Sequence, residues 1–236
     1  MKIILRLLAL GICLLLCMTS LSSAEAEQWK IDKDHSNIYF DIRHTYAMVR
    51  GQFGNFSGNV VFDPESAEAS SVDFKVPVDS INTGISKRDN HLRSEDFFAS
   101  GQFPYITFSS TAIKPVKDNR YTVTGELTIK DVTKKVEIPF TYLGLRDNPL
   151  EKGQKVAGFE ADFTINRLDY NVGTGKFAEM GAVGEKVDIL VTLELLKSKR
   201  CKSIAKKPDP QPSCSPASSS RWICFIHSGT TGLSAP

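Results

Sequence analysis

The chain has 236 residues, 24% of them charged and 41% hydrophobic, with a net charge of +2. That charge is unevenly spread: Lys2 and Arg6 stand near the start, six cations against Asp209 follow residue 197, and the stretch 25–197 therefore sums to −5. An acidic middle excludes a nucleic-acid binder, which needs clustered cations against phosphate, and a domain of this size supports its own core without disulfides.

The first segment has three parts. Lys2 and Arg6 precede an apolar run from Leu7 to Met18, and "SLSSAEA" follows, the layout of a secretory signal peptide over residues 1–24 with cleavage after Ala24 or Ala26. The run is about a dozen residues, short of the roughly 20 that a spanning helix needs. "LLLC" is similar to a lipoprotein box, but Leu16 stands where a small residue belongs. The expected location is periplasmic or secreted. Cys13 and Cys17 leave with this leader, and Cys201, Cys214 and Cys224 lie near the other end, so the segment 27–197 has no cysteine.

That segment is organised by period-two alternation. Ile38, Phe40 and Ile42 open it, a weaker pattern covers Phe53 to Phe62, and Val72, Phe74, Val76 and Val78 alternate with Asp73, Lys75 and Pro77. Further strands are predicted at Tyr105 to Ile113, Tyr121 to Ile129, Val136 to Tyr142, Phe159 to Ile165 and Val187 to Leu195. "KDN" at 117–119 and "KD" at 130–131 are spaced for hairpins. Eight or nine strands with almost no helical period leave a sandwich or a barrel. Strands of ten or more residues, as in "VAGFEADFTINRLDY", and glycines such as Gly51, Gly58, Gly125 and Gly144 within or beside strands favour the barrel. An eight-stranded barrel is either filled by side chains or holds one small ligand. The pattern alone leaves both readings open.

One stretch breaks the alternation. In "GISKRDNHLRSEDFF", Ser86 and Asp89 are spaced as a capping box, which predicts one or two helical turns from Lys87 to about Ser94 and then the pair Phe97 and Phe98. Such a segment covers one barrel mouth, phenylalanines inward and charges at the rim, or else is a solvated crossover anchored by two rings. Elsewhere "GTGKFA" at 173–178 fits a dinucleotide fingerprint only formally, because the strand, long helix and parallel unit it needs are missing. His35, His44 and His91 are scattered, so no metal site is expected. From residue 198 to 236, Ser, Pro and Lys dominate without any period, which is the composition of a disordered or atypical tail.

"RDNHLRSEDFF" together with "FPYITFSST", "TGELTIKDVTKKVEIPF" and "GFEADFTINRLDYNVG" resembles the YceI-like family of exported polyisoprenoid-binding proteins over roughly residues 28–196. The resemblance implies an all-β, lipocalin-like antiparallel barrel of about eight strands with a short helical crossover, holding an isoprenoid such as a polyprenyl phosphate or ubiquinone and needing no other cofactor. Its apolar wall would be drawn from Phe40, Phe74, Val76, Phe97, Phe98, Phe108, Phe140, Phe159 and Phe163, and Arg88, His91 and Arg93 would meet a head group, unless the two arginines pair with Asp89, Glu95 or Asp96 instead. The partners to expect are the isoprenoid lipid, a membrane met in passing and a second copy in a homodimer. The reading is a non-catalytic carrier. The alternative from another class is an exported enzyme or redox protein working on such lipids with His44 and His91.

Overall fold

The computed structural model describes residues 28–198, so the predicted leader and all but the first residue of the predicted tail lie outside the described residues. Eleven strands form one antiparallel sheet: β1 (Gln28–Ile31), β2 (Asn37–His44), β3 (Ala47–Phe53), β4 (Ser57–Val61), β5 (Ser71–Pro77), β6 (Ile81–Asn82), β7 (Tyr105–Lys117), β8 (Arg120–Ile129), β9 (Val132–Asp147), β10 (Gln154–Asn166) and β11 (Val183–Ser198). The sheet order is β1-β4-β5-β7-β8-β9-β10-β11-β2-β3-β6, and β1 also pairs with β11, which closes the ring. Strands β1 and β2 lie end to end along β11, as β3 and β4 do along them and as β6 follows β5. Eight staves result, in the plain up-and-down order of a meander. Between β6 and β7 comes the helix α1 (Ser86–Arg93), and α2 (Lys176–Glu179) lies between β10 and β11. No helix among the described residues is long and apolar enough to cross a membrane.

The staves break where side chains replace the ladder. Between β1 and β2, the Asp32 amide donates to the Glu194 carbonyl (2.9 Å) and the Glu194 amide to Ser36 Oγ (3.0 Å), so β11 continues past the gap. In the same turn Asp32 accepts from the Asp34 amide (3.1 Å) and pairs with His35 Nδ1 (2.9 Å). The Glu194 carboxylate comes within 4.8 Å of both, a grouping of Asp, His and Glu on the outer wall that sequence spacing does not reveal. The predicted strand through Val78 ends instead at Pro77, because Val78–Ser80 is a 3-10 turn. Likewise "VAGFEADFTINRLDY" is not one strand: β10 stops at Asn166, whose side chain accepts from the Leu168 amide and starts a second 3-10 turn. The two-residue turn between β7 and β8 puts Asp118 and Asn119 at φ 51° and 61°, the left-handed pair that suits strand twist.

Parity then sorts the faces. Phe159, Ala161, Phe163 and Ile165 sit opposite Leu193, Val191, Ile189 and Val187 on the inner face. Outside, the polar partners form a row across four strands: Thr164 Oγ1 donates to Asp188 (2.6 Å), Asp188 is in register with Asp41, and Arg50 forks onto Asp41 at 2.8 and 2.6 Å. Two aspartates side by side would repel. Each instead has its own donor.

One end of the barrel is packed solid. Phe62 lies at its centre, edge-on to Tyr121 (5.2 Å) and Phe159 (5.0 Å), while Trp29 Nε1 donates to the Phe62 carbonyl (3.1 Å). Ala67, from the 3-10 turn before β5, is buried beneath. Burying aromatics of this size is the largest apolar contribution available to a domain.

The Asp32–His35 contact has a measurable consequence. The hydrogen bond from His35 holds the Asp32 carboxyl below its ordinary pKa, and the same bond raises the His35 imidazole above its own. The stabilisation from Asp32 is lost as pH falls through its lowered pKa, and that from His35 as pH rises through its raised one, so the pair contributes between those limits. NMR titration of the imidazoles should place the His35 midpoint above that of an ordinary histidine, and Asp32→Asn should bring it back down; an unchanged midpoint in the variant would show the contact is not formed in solution.

A candidate lipid cavity

Above the aromatic floor the barrel is hollow. The cavity has a volume of about 500 Å³, within the range of small-molecule sites. Its wall comes from every stave: Ile38 and Phe40 from β2, Phe53 from β3, Phe74 and Val76 from β5, Phe108 from β7, Leu127 from β8, Phe140 from β9, Phe163 from β10 and Ile189 from β11. The question left open by the alternation is thus answered twice, with a filled core at one end and a void at the other.

The void persists because large rings lie against the wall. Phe40 faces Gly51 in register, and a Cβ built on Gly51 would stand 2.7 Å from its Cε1 and 2.8 Å from its Cε2. The missing side chain is what lets the ring fold flat onto the neighbouring strand. Gly144, at φ 115°, serves differently: the register between β9 and β10 skips Leu143 there, a bulge that bends the wall.

The crossover forms part of the mouth. The predicted capping box is absent: α1 is preceded by Ile85 with no side-chain cap. Asp89, buried, turns back instead and accepts from the Thr83 amide (2.8 Å) and Thr83 Oγ1 (2.6 Å). A carboxylate one turn inside the helix finds a better set of donors in the preceding loop than at the helix start. After α1 the chain folds back, the Ala99 amide reaching the Ser94 carbonyl (2.8 Å), and this turns Phe97 and Phe98 inward. Phe97 packs against Phe177 at 5.2 Å, and Phe98 stands edge-on to Phe53 at 6.4 Å.

All nine apolar residues singled out in the sequence, Phe40, Phe74, Val76, Phe97, Phe98, Phe108, Phe140, Phe159 and Phe163, lie on the cavity wall. The three polar ones divide. Arg88 and His91 line the cavity near its mouth, whereas Arg93 is outside the lining. Arg93 donates to the carbonyls of Asp79 (3.2 Å) and Ile81 (2.8 Å) and so ties α1 to the 3-10 turn after β5 and to β6. Arg88 holds Thr83, Nε on Oγ1 and Nη2 on the carbonyl, both at 2.7 Å. His91 meets Asp96 at 2.9 Å and stacks edge-on between Phe97 and Phe177, each 5.1 Å away. His44 lines the same mouth, while His35 is on the outer wall.

The residue that sequence reading missed is Arg167. It lines the cavity, is only 4% exposed, and donates to four backbone carbonyls: Val172 (2.7 Å), Gly173 (2.6 Å), Gly184 (2.7 Å) and Val183 (3.1 Å). It gathers the loop between β10 and β11 into the second half of the mouth. Burial lowers the guanidinium pKa, partly offset by the charge of Glu185. A signal was present: the inward series Phe159, Ala161, Phe163, Ile165 continues at the next odd position to Arg167.

Comparison with known proteins agrees with this architecture. The YceI-like domain family matches residues 29–195. Protein YceI of Escherichia coli O157:H7 is 35% identical over 193 residues, covering 80% of this chain and 97% of that protein, and a Yersinia enterocolitica relative is 35% identical over the same span. Among solved structures, Burkholderia cenocepacia BcnA superposes with a TM-score of 0.63 at 28% identity, covering 72% of this chain and 100% of its own. The Campylobacter jejuni YCEI protein gives 0.58 at 27%, covering 73% and 99%. A polyisoprenoid binding domain from Saccharophagus degradans shares the fold, with a TM-score of 0.54 at 15% identity over 72% of this chain and 98% of that one.

Gly51→Ala tests the open lumen. The added methyl drives the Phe40 ring off the wall and into the cavity, so stability should fall by about 1–3 kcal/mol, as for other overpacked cores, and uptake of an apolar fluorescent dye should drop. Gly101→Ala, with nothing within 4 Å of the new methyl, is the control and should change neither urea midpoint nor dye binding. Equal dye binding by the Gly51 variant and the native protein would mean the ring does not guard the space.

Proposed function

The chain belongs to the YceI-like family, and from that premise we propose that it is an exported carrier that sequesters an isoprenoid lipid in the barrel and performs no bond chemistry on it. The observation that carries this reading is the cavity: an almost wholly hydrocarbon wall above a solid floor, with His44, Thr83, Arg88, His91 and Arg167 among its few polar lining residues. An isoprenoid offers apolar area and little else. At about 0.8 kcal/mol per buried CH2, a chain of tens of carbons has a transfer energy well beyond any measured affinity, so ordering of the chain offsets much of it.

The mouth suits a polar head. Arg88 and His91 stand there with Thr83, and Arg167 lies buried nearby with its donors turned to carbonyls. A phosphate would find guanidinium and imidazole donors; a quinone would use the same groups through its carbonyl oxygens. The relative from Saccharophagus degradans is described as polyisoprenoid-binding, and the shared barrel supports the same ligand class here.

Native mass spectrometry of the protein purified from a bacterial host should show one lipid per chain, released intact on unfolding. Ile189→Trp, which fills the lumen from the middle of β11, should keep the circular dichroism of the native barrel and lose the lipid. A protein that purifies empty and converts an added polyprenyl phosphate would instead support an enzyme built on His44 and His91.

A further inference from the structure

Three segments remote in sequence meet beside the cavity mouth, and each presents a large apolar side chain to solvent. Tyr46, at the tip of the β2–β3 hairpin, is 92% exposed; Met180, just after α2, is 69% exposed; Ile85, just before α1, is 52% exposed; and Met48, on the outer face of β3, is 50% exposed. They are held in place by backbone bonds. The Thr45 amide donates to the Ala182 carbonyl (2.8 Å), which fixes the hairpin tip beside the Met180 segment, and the pairing of Gln52 with Asn82 brings the strand leading to Ile85 alongside β3. Exposed apolar groups that converge in this way mark a contact surface rather than scattered residues.

We propose that this rim docks on a phospholipid bilayer, with the side chains of Tyr46, Met48, Ile85 and Met180 entering the interface so that the cavity opens onto the acyl layer. Two features select a bilayer as the occupant. The first is continuity: Met180 belongs to both the rim and the cavity lining, and Val49, next to Met48, lies inside, so apolar surface runs from solvent into the lumen. The second is charge. No carboxylate occurs between Asp41 and Asp63, and Arg43 on the hairpin and Lys87 beside Ile85 are exposed, while the exposed carboxylates Glu179 and Glu185 flank Met180 on the other side. Apolar and aromatic side chains among cations are what an anionic headgroup layer binds, and a tyrosine with its ring in the boundary and its hydroxyl in water is at home there. The inference rests on the carrier reading: a ligand that gains its affinity by leaving water loses the same free energy if it must cross water to arrive.

Flotation with phosphatidylcholine vesicles, with and without phosphatidylglycerol, tests the docking on the full chain and on Tyr46→Ser/Met48→Ser, two rim positions outside the cavity lining. Both sites are exposed, so folding should hold, checked by circular dichroism. The native protein should float with vesicles, more so with phosphatidylglycerol, and the double variant should partition at least about tenfold less. A dansyl-tagged polyprenyl phosphate separates docking from cargo binding. Offered from detergent, it should load both proteins equally; offered in vesicles, it should load the variant about tenfold more slowly. Equal flotation and equal extraction rates would overturn the docking while leaving the carrier intact, and so would a native dimer that the double variant splits without any vesicle partition. Failure of both proteins to load from detergent would overturn the carrier reading and the docking built on it.

Discussion

The closing of the sheet on its last strand is the constraint on which everything else rests. β11 runs 16 residues with β10 on one side and both β1 and β2 on the other. A ring closed in this way has no free edge to slip along, and a shift of one residue would turn every inner side chain outward. The register fixes Phe40, Ile189 and Phe163 on a common wall and leaves Asp41 and Asp188 outside, where Arg50 and Thr164 donate to them. The first stave can therefore break at Asp32–Ser36 without opening the barrel, since Ser36 and Asp32 keep the Glu194 backbone occupied across the gap.

Within that ring the chain divides its apolar residues between two tasks. Phe62, Tyr121, Phe159 and Trp29 fill the floor and carry the packing. Higher up, glycine opposite phenylalanine keeps rings on the wall and space in the middle. The mouth is then built by two arginines bound to backbone. Arg93 ties the crossover to the 3-10 turn after β5 and to β6, and Arg167 collects four carbonyls, two from the loop before β11 and two from the first residues of β11. A buried guanidinium costs heavily unless its donors are used. Four carbonyls from that loop and the start of β11 use them, and the loop in turn takes its shape from the charge.

Much of this was legible in the sequence because period two is a direct image of a strand with one wet face. Phe159 to Ile165 and Val187 to Leu195 announce their strands, their inner faces and, by their length, a barrel. The motif around "RDNHLRSEDFF" located the crossover and its two inward rings to within a residue. What escaped was whatever depends on a partner distant in the chain. Asp89 looks like a helix cap until Thr83 is seen to hold it, Arg93 looks like a head-group ligand until the Ile81 carbonyl is placed beneath it, and Asp32, His35 and Glu194 are unrelated letters until β1 closes on β11. Two of the 3-10 turns, at Val78 and Arg167, were hidden for another reason: their residues keep the alternation of a strand while the backbone leaves it.

The solid floor gives the barrel a single doorway. A long chain lodged above Phe62, as proposed, would go in tail first and back out head first, past Arg88 and His91. On the carrier role proposed above, loading and unloading would share that one threshold, and the protein would leave whatever supplies its cargo before meeting whatever receives it. A carrier of that design would work as a ferry rather than as a bridge.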